Sequence, residues 1–326
     1  MNAKLNTFLL GLYRTARTES HEQLRIWTFK ALSNVVSFDS AFWFRGVAFE
    51  RQVMIHSYFL HRQPETLIQE YVRDGLWEED EIYRRLMVGQ RGKAVRLSFD
   101  EFPSARFRDF LRRNHQQHLI TIALTQEVPQ LSAGMSLYRN ELGSPFSDED
   151  ACTLEMVAPH VVDAWRESWL REVIQAARSP TKIGEFGVGV LMPDLMISEA
   201  HDSFVALVQQ EWPGWQGPWL PEPLHEHISL KAPVQPWIGK QVAAYNRTQA
   251  GGAMLLLLRK GHPLDRLAPR KRAAALMFAA GRSQSEVAAD LRLSASTVNN
   301  YLVDVYRELN IKDKSDLSVL VSRLQP

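Results

Sequence analysis

Residues 267–309 read LAPRKRAAALMFAAGRSQSEVAADLRLSASTVNNYLVDVYREL, and cap and breaker residues divide this run into three short helices. Pro269 suits the first turn of a helix, where a missing N–H costs nothing, and Gly281 can take the left-handed backbone that ends one. The first helix is therefore predicted from Pro269 to about Ala280. Ser283, with Glu286 three residues on, forms a capping box that opens a second helix ending near Leu291. Arg292 and Leu293 make the turn, and Ser294 caps a third helix from about Ala295 to Leu309. Val287, Ala288, Leu291, Leu293, Val298, Leu302, Val305 and Leu309 supply the apolar contacts that lock the second helix across the third. On the opposite side Ser296, Asn299, Asn300, Val303 and Arg307 recur at spacings of three and four and share one polar face.

That face has the chemistry of a major-groove reader. Asn pairs bidentately with adenine, Val meets a thymine methyl, and hydroxyls with helix-start amides bind phosphate. Ser283, Gln284, Ser294, Ser296 and Thr297 are expected in the phosphate role, and Asn299, Asn300, Val303 and Arg307 at the bases. The run resembles the LuxR-type helix-turn-helix through Leu267, Pro269, Arg270, Ala280, Gly281, Ser283, Glu286, Val287, Ala288, Leu291, Leu293, Ser294, Thr297, Val298, Leu302, Tyr306 and Leu309. The resemblance implies a four-helix DNA-binding domain whose third helix reads bases and whose fourth helps form a dimer. Leu317, Leu320, Val321 and Leu324 would be the apolar stripe of that fourth helix. Some positions depart from the family pattern. Ala268 replaces Thr, Lys271 and Ala273 stand where acidic residues are common, and Ala274 and Ala275 are smaller than the usual aliphatics. Asn299 and Glu308 replace Lys, and Tyr301 replaces His. Fewer basic groups on the reading helix predict modest DNA affinity, strengthened by dimerisation.

The whole chain bounds the rest. Its 326 residues exceed one ordinary core, so two or three domains are expected. With 45% hydrophobic and 23% charged residues the composition is that of an ordinary globular protein. The net charge of +1 is unevenly spread: from His262 to Pro326 there are ten Lys and Arg against seven Asp and Glu. The absence of an apolar run long enough for a membrane span, of a signal-peptide pattern and of a second cysteine beside Cys152 leads to the expectation of a cytoplasmic protein.

Upstream, Ser40 to Val47 and Val53 to His61 read as strands, preceded by a helix carrying Leu24, Ile26, Trp27, Phe29 and Leu32. A helix follows Pro64, and two further strands are expected at Leu119 to Leu124 and Ala133 to Arg139. Ser147 with Asp150 caps a long helix whose Leu154, Val157, Ala158, Val161, Val162 and Trp165 bury one face. With Phe146 to Asp150 and Ala158-Pro159-His160, this part resembles a GAF-like sensor domain over 1–178. Gly187 to Leu191, a Pro193-Asp194 turn and Leu195 to Ser198 predict a hairpin. Strands at Trp237 to Tyr245 and Gly252 to Arg259 follow, and 183–260 resembles a PAS-type module. The expected architecture is thus an α+β sensor region, GAF-like and then PAS-like, followed by an all-α helix-turn-helix domain at 263–326.

Trp43, His56, Tyr58, Tyr71 and Trp77, with Phe44 and Arg91, either line a small-molecule pocket or pack the core; composition leaves the two readings level. His225-Glu226-His227 and the pair His115 and His118 lack the partners of a metal site and read as hydrogen-bonded or solvated. No nucleophile or phosphate-loop motif supports catalysis, and no cofactor or metal is expected. The expectation is a one-component, homodimeric regulator of double-stranded DNA with a small-molecule or protein effector. The alternative is an interaction partner of another regulator, with a helix-turn-helix that binds DNA weakly or not at all.

Overall fold

A near-continuous apolar run, Ala41 to Phe44, in the first strand dictates a sheet covered on both faces. The computed structural model describes residues 3–49, 52–88, 92–140, 144–176, 186–225, 228, 237–248 and 254–322. Its elements run α1 (Ala3–Thr18), α2 (His21–Leu32), β1 (Ser40–Phe49), β2 (Gln52–His61), α3 (Thr66–Arg73), α4 (Glu81–Val88), β3 (Val95–Ser98), α5 (Ala105–Arg113), β4 (His118–Thr125), β5 (Leu131–Arg139) and α6 (Asp148–Ala176). Then come β6 (Gly187–Leu191), β7 (Ile197–Ala200), α7 (Asp202–Glu211), α8 (Glu222–His225), β8 (Trp237–Ile238), β9 (Val242–Thr248) and β10 (Met254–Lys260). The chain closes with α9 (Pro269–Ala279), α10 (Gln284–Leu291), α11 (Ala295–Leu309) and α12 (Lys314–Ser322).

Two compact units divide the chain. One comprises 1–178 with 190–199 and 216–220; the other comprises 179–189, 200–215 and 221–326. In the first, a five-stranded sheet has the order β2-β1-β5-β4-β3, each adjacent pair antiparallel. The pleat sends alternate residues to opposite faces. Ala41, Trp43, Ile120, Ile122, Met135 and Leu137 pack with α1, α2 and α6, while Phe42, Phe44, Leu97, Leu119 and Tyr138 pack with α3, α4 and α5. Gly134 is required between these layers, because a Cβ there would collide with the Ile122 carbonyl and the Phe44 ring. A second sheet, β7-β6-β10-β9-β8, repeats the same order of its own five strands.

The segment expected as one strand from Trp237 to Tyr245 is two. Gly239 N–H donates to the Val242 carbonyl at 2.8 Å, closing a tight turn that folds β8 back on β9. The α6 cap is formed as its sequence predicts: the Ser147 N–H donates to Asp150 Oδ2 at 2.8 Å, and the Asp150 N–H to Ser147 Oγ at 3.1 Å. Helices α4, α5 and α7 and the short β3 are additions to the sequence reading.

Asp80, at the start of α4, caps the helix with a carboxylate largely shielded from water. Its Oδ1 accepts the Ile82 and Tyr83 N–H groups at 2.9 and 3.1 Å, and Tyr71 Oη donates to Oδ2 at 3.0 Å. Burial nevertheless pushes its carboxyl up to about 6, against an ordinary 3.8, so ionisation opposes folding at neutral pH. A carboxyl raised in the folded state adds stability as pH falls from above that value toward the unfolded one. Asp80→Asn keeps the cap and removes the charge. The variant is expected to be more stable than the parent at pH 8 by on the order of 1 kcal/mol, a discounted figure because Asp80 keeps some contact with water. Denaturant titrations at pH 8 and pH 4 check this; an equal gain at both pH values would contradict it.

Candidate nucleic-acid interface

The C-terminal helices close on two small cores. Leu264, Leu267, Ala275, Val305, Leu317 and Val321 form one, and Ala274, Val287, Ala288, Val298 and Leu302 the other. Ala274 and Ala275 are fully buried, so the small side chains on α9 set a close approach rather than leaving a gap. The capping box is complete, with Ser283 Oγ accepting the Glu286 N–H and the Glu286 carboxylate accepting the Ser283 N–H at 2.7 Å. Arg292 ends α10 in the left-handed region at φ 56°, which produces the sharp turn before Ser294 caps α11.

These constraints leave one face of α11 outside the cores. Ser296, Asn299, Asn300, Val303 and Arg307 are all exposed, Val303 at 54%. Gln284 Nε2 donates to Asn299 Oδ1 at 3.3 Å, which ties the start of α10 to this face. Thr297 is half-buried, its hydroxyl 2.8 Å from Ser294 Oγ. Both cap hydroxyls, Ser283 and Ser294, already accept a backbone N–H of their own helix; Ser296 is exposed, and Gln284 is half-buried with its amide on Asn299.

Two departures from the expected pattern explain each other. Lys271 Nζ on α9 lies 2.7 Å from Glu308 Oε1 and 2.9 Å from Asp304 Oδ2 on α11, and its ammonium is held above the ordinary lysine value by the Glu308 and then the Asp304 hydrogen bonds. The basic and acidic roles have exchanged sides of one contact. Lys271→Glu is therefore expected to lower the melting temperature, and adding Glu308→Lys to recover most of the loss; a double variant no better than the single one contradicts the pairing.

The stripe expected to dimerise requires correction. Leu317 is fully buried and Val321 is 9% exposed within the domain's own core, so neither can meet a partner. The i, i+4 spacing that suggested a dimer stripe is the spacing of a helix docking on α9. Leu320 is half-buried, Val319 is 55% exposed, and Leu324 lies outside the described residues.

The aromatic residues expected as a pocket are likewise not gathered. Trp43 is buried on the α2 and α6 side, its ring 5.9 Å from those of Phe29 and Trp165. Tyr71 lies on the opposite side against Phe107 and Phe110. Tyr58 and Trp77 are 39% and 38% exposed, and His56 is half-buried beside Arg45, where burial and the Arg45 charge push it down to about 4. Selecting by residue type ignored the two-residue alternation that assigns each side chain to a face. Arg91, Glu226 and His227 lie outside the described residues. His118 Nδ1 is 2.9 Å from Ser98 Oγ, and among the described residues no cluster of His, Cys, Asp and Glu can hold a metal ion. No described helix is long and apolar enough to cross a membrane.

Sequence reasoning missed a set of charged residues at one end of the first sheet. Arg45 on β1 is buried, pairs with Glu199 on β7 and lies 4.0 Å above the Trp165 ring. The signal was available in the sequence: Arg45 is a charged residue at an inward position of a strand otherwise filled by Ala41, Trp43 and Val47.

Residues 265–321 match the model of the luxR family of bacterial regulatory proteins. The C-terminal helices are thus a LuxR-type helix-turn-helix. Solved structures align over wider spans at low identity. The N-acylhomoserine lactone dependent LuxR family transcription factor CepR2 from Burkholderia cenocepacia is 15% identical over 50% of this chain and 93% of its own, with a TM-score of 0.40. Escherichia coli SdiA is 12% identical over 98% of this chain and 95% of its own, at 0.39. The phycoerythrobilin-bound GAF domain of a cyanobacterial phytochrome is 9% identical over 53% of this chain and all of its own, at 0.38. At these scores the likeness identifies neither a ligand nor a partner. No curated protein matches the chain significantly.

Proposed function

We propose, from the LuxR-type helix-turn-helix at 265–321, that the protein is a one-component transcription regulator whose N-terminal region senses a small molecule and whose C-terminal domain binds DNA as a homodimer. The observation that carries this reading is the exposed face of α11, where Ser296, Asn299, Asn300, Val303 and Arg307 stand together above a locked three-helix core. Asn299 and Asn300 read adenine edges, Val303 meets a thymine methyl, Arg307 reaches base or phosphate, and Ser283, Gln284, Ser294, Ser296 and Thr297 position the helix on the backbone. Residues 1–178 act as a GAF-like sensor, 183–260 as a PAS-like module and 263–326 as the DNA-binding domain. The strand order common to the two sheets supports two sensor modules in series. With Leu317 and Val321 occupied, the outward surface of α12 around Val319 and Leu320 is the dimer contact. Effector binding alters operator affinity only if the effector binds the two states of the sensor differently. Such a regulator works in the cytoplasm, where its operator is.

One observation favours a second reading as an interaction partner of another regulator: Arg307, the basic residue of α11, is paired with Asp304. Selection from a random-sequence duplex library by the full chain, at two salt concentrations, separates the two. The regulator enriches a two-fold-symmetric site, with recovery falling as salt rises. Absence of any enriched sequence overturns it and leaves the interaction partner.

A further inference from the structure

A cavity of about 300 Å³ opens at one end of the first sheet, wholly within the first compact unit. Its walls come from the ends of β1, β4 and β5 and from α6, with Arg45, Gln126, Asp163, Arg166 and Glu199 as its charged and amide groups and Leu124, Leu131, Pro159 and Val162 among its apolar ones. That volume is at the lower end of the range for small-molecule sites. It lies on the α6 side of the sheet, whereas the core beneath α3, α4 and α5 is filled by aromatic rings.

Two guanidinium groups and two carboxylates, Arg45, Arg166, Asp163 and Glu199, stand on the cavity wall. Arg45 is 6% exposed, and Arg25 reaches the same Trp165 ring, its guanidinium carbon 5.9 Å from the centroid. Burial, then the Arg166 and Arg25 charges, push the Arg45 guanidinium down from its ordinary value. Arg166 is 3.4 Å from Asp163, a neighbour on its own helix. Among the described residues, Arg25 Nε, Trp43 Nε1, Trp165 Nε1, His56 Nε2 and Gln126 Oε1 are buried side-chain atoms with no hydrogen-bond partner. Of these, Gln126 alone lines the cavity, and its Oε1 is an acceptor; the cationic groups on the cavity wall are the Arg45 and Arg166 guanidiniums. Glu199, itself 1% exposed, already shows how a carboxylate sits on Arg45.

We propose that this cavity binds a small organic carboxylate, whose carboxyl group replaces Glu199 on the Arg45 guanidinium while its apolar body lies against Leu124, Leu131, Pro159 and Val162. Exchange of one carboxylate for another keeps a partner on the buried Arg45 guanidinium, while Glu199 has to turn away from it. A planar guanidinium engages a carboxylate through two parallel N–H groups, which selects carboxylate over a neutral amide of the same shape. Displaced Glu199 gives the ligand two states of the protein to discriminate. The inference rests on the N-terminal region being a small-molecule sensor, and it adds the place and the chemical class.

The test is calorimetric titration of the full chain, without DNA, with hexanoate, phenylacetate and succinate at constant ionic strength, and with hexanamide as the neutral control. Saturable binding of at least one carboxylate, and none of hexanamide, is expected. Glu199→Gln removes the internal competitor and is expected to bind that carboxylate at least tenfold more tightly. The double variant Arg45→Met, Glu199→Gln leaves no uncompensated charge, keeps the fold by circular dichroism and loses the binding. Carboxylates that all fail to bind, an amide that binds equally well, an unchanged affinity in Glu199→Gln, or binding retained in the double variant each overturn the proposal. Because DNA takes no part, these failures leave the helix-turn-helix reading intact, while failure to select an operator leaves carboxylate binding intact.

Discussion

On an operator selected by the full chain, Asn299→Ala combined with Asn300→Ala is expected to weaken binding by on the order of 100-fold, since each bidentate base contact contributes roughly 1–3 kcal/mol. The fold should not suffer. Both side chains are exposed on α11, neither belongs to the two small cores, and Ala is the better helix former. The loss should be confined to the selected sequence. Affinity for an unrelated duplex comes from phosphate contacts, which the proposed reading assigns to residues the variant leaves in place, such as Ser296. Fluorescence anisotropy on both duplexes checks the prediction. Equal losses on the two would mean that the pair contacts phosphate, and no loss on either would remove α11 from the interface.

Asp265→Ala is expected to cost about 3 kcal/mol of stability in the unit containing the DNA-binding helices, near the lower end for breaking a buried ion pair because Arg272 keeps partial access to water. The Asp265 carboxylate is 1% exposed and stands between Arg259 on β10, at 2.6 Å, and Arg272 on α9, at 3.1 Å. It also accepts the His262 N–H at 2.7 Å. Arg259 in turn donates to Tyr245 Oη at 2.5 Å, so one carboxylate joins β9, β10 and α9. Burial raises this carboxyl, but the Arg259 hydrogen bonds, the His262 amide and the two positive charges outweigh it and hold it below its ordinary 3.8. A lowered carboxyl contributes stability above the unfolded value and loses that contribution as pH falls through the folded one. The deficit of the variant should therefore be full at pH 7 and shrink below pH 4. Urea titrations followed by circular dichroism at pH 7 and at the lowest pH that keeps both proteins folded measure the difference, and a pH-independent deficit would show that the ionised carboxylate is not its source.

The helix-turn-helix was legible because its signals are local. Pro269, Gly281, Ser283 with Glu286, and Ser294 each fix one helix end through a backbone group within a few residues, and α9, α10 and α11 begin and end within a residue of the bounds read from them. The strands β1 and β2 were legible through their Phe, Trp, Tyr, Val and Ile, and β4 and β5 through short apolar runs. α5 escaped notice although Ser104 caps it and Phe107, Phe110 and Leu111 mark its buried side, because four arginines in nine residues obscure the apolar stripe. What lay beyond sequence was every contact between distant segments. Lys271 with Glu308, Arg259 with Asp265 and Arg45 with Glu199 depend on where the helices and strands meet. The buried direction of Leu317 and Val321, and the scattering of Trp43, Tyr58, Tyr71 and Trp77 to different sides, follow from docking rather than from the local pattern.

The most direct measurement is the affinity of the full chain for its selected operator and for a scrambled duplex of equal length, titrated from 50 to 300 mM salt. If α11 reads bases while the cap residues hold phosphate, both affinities fall with salt along similar slopes, and the ratio between them stays above about 100, within the range of sequence-specific proteins. Equal affinities for the two duplexes at every salt concentration, or binding to neither, would contradict the assignment of this protein as a DNA-reading regulator.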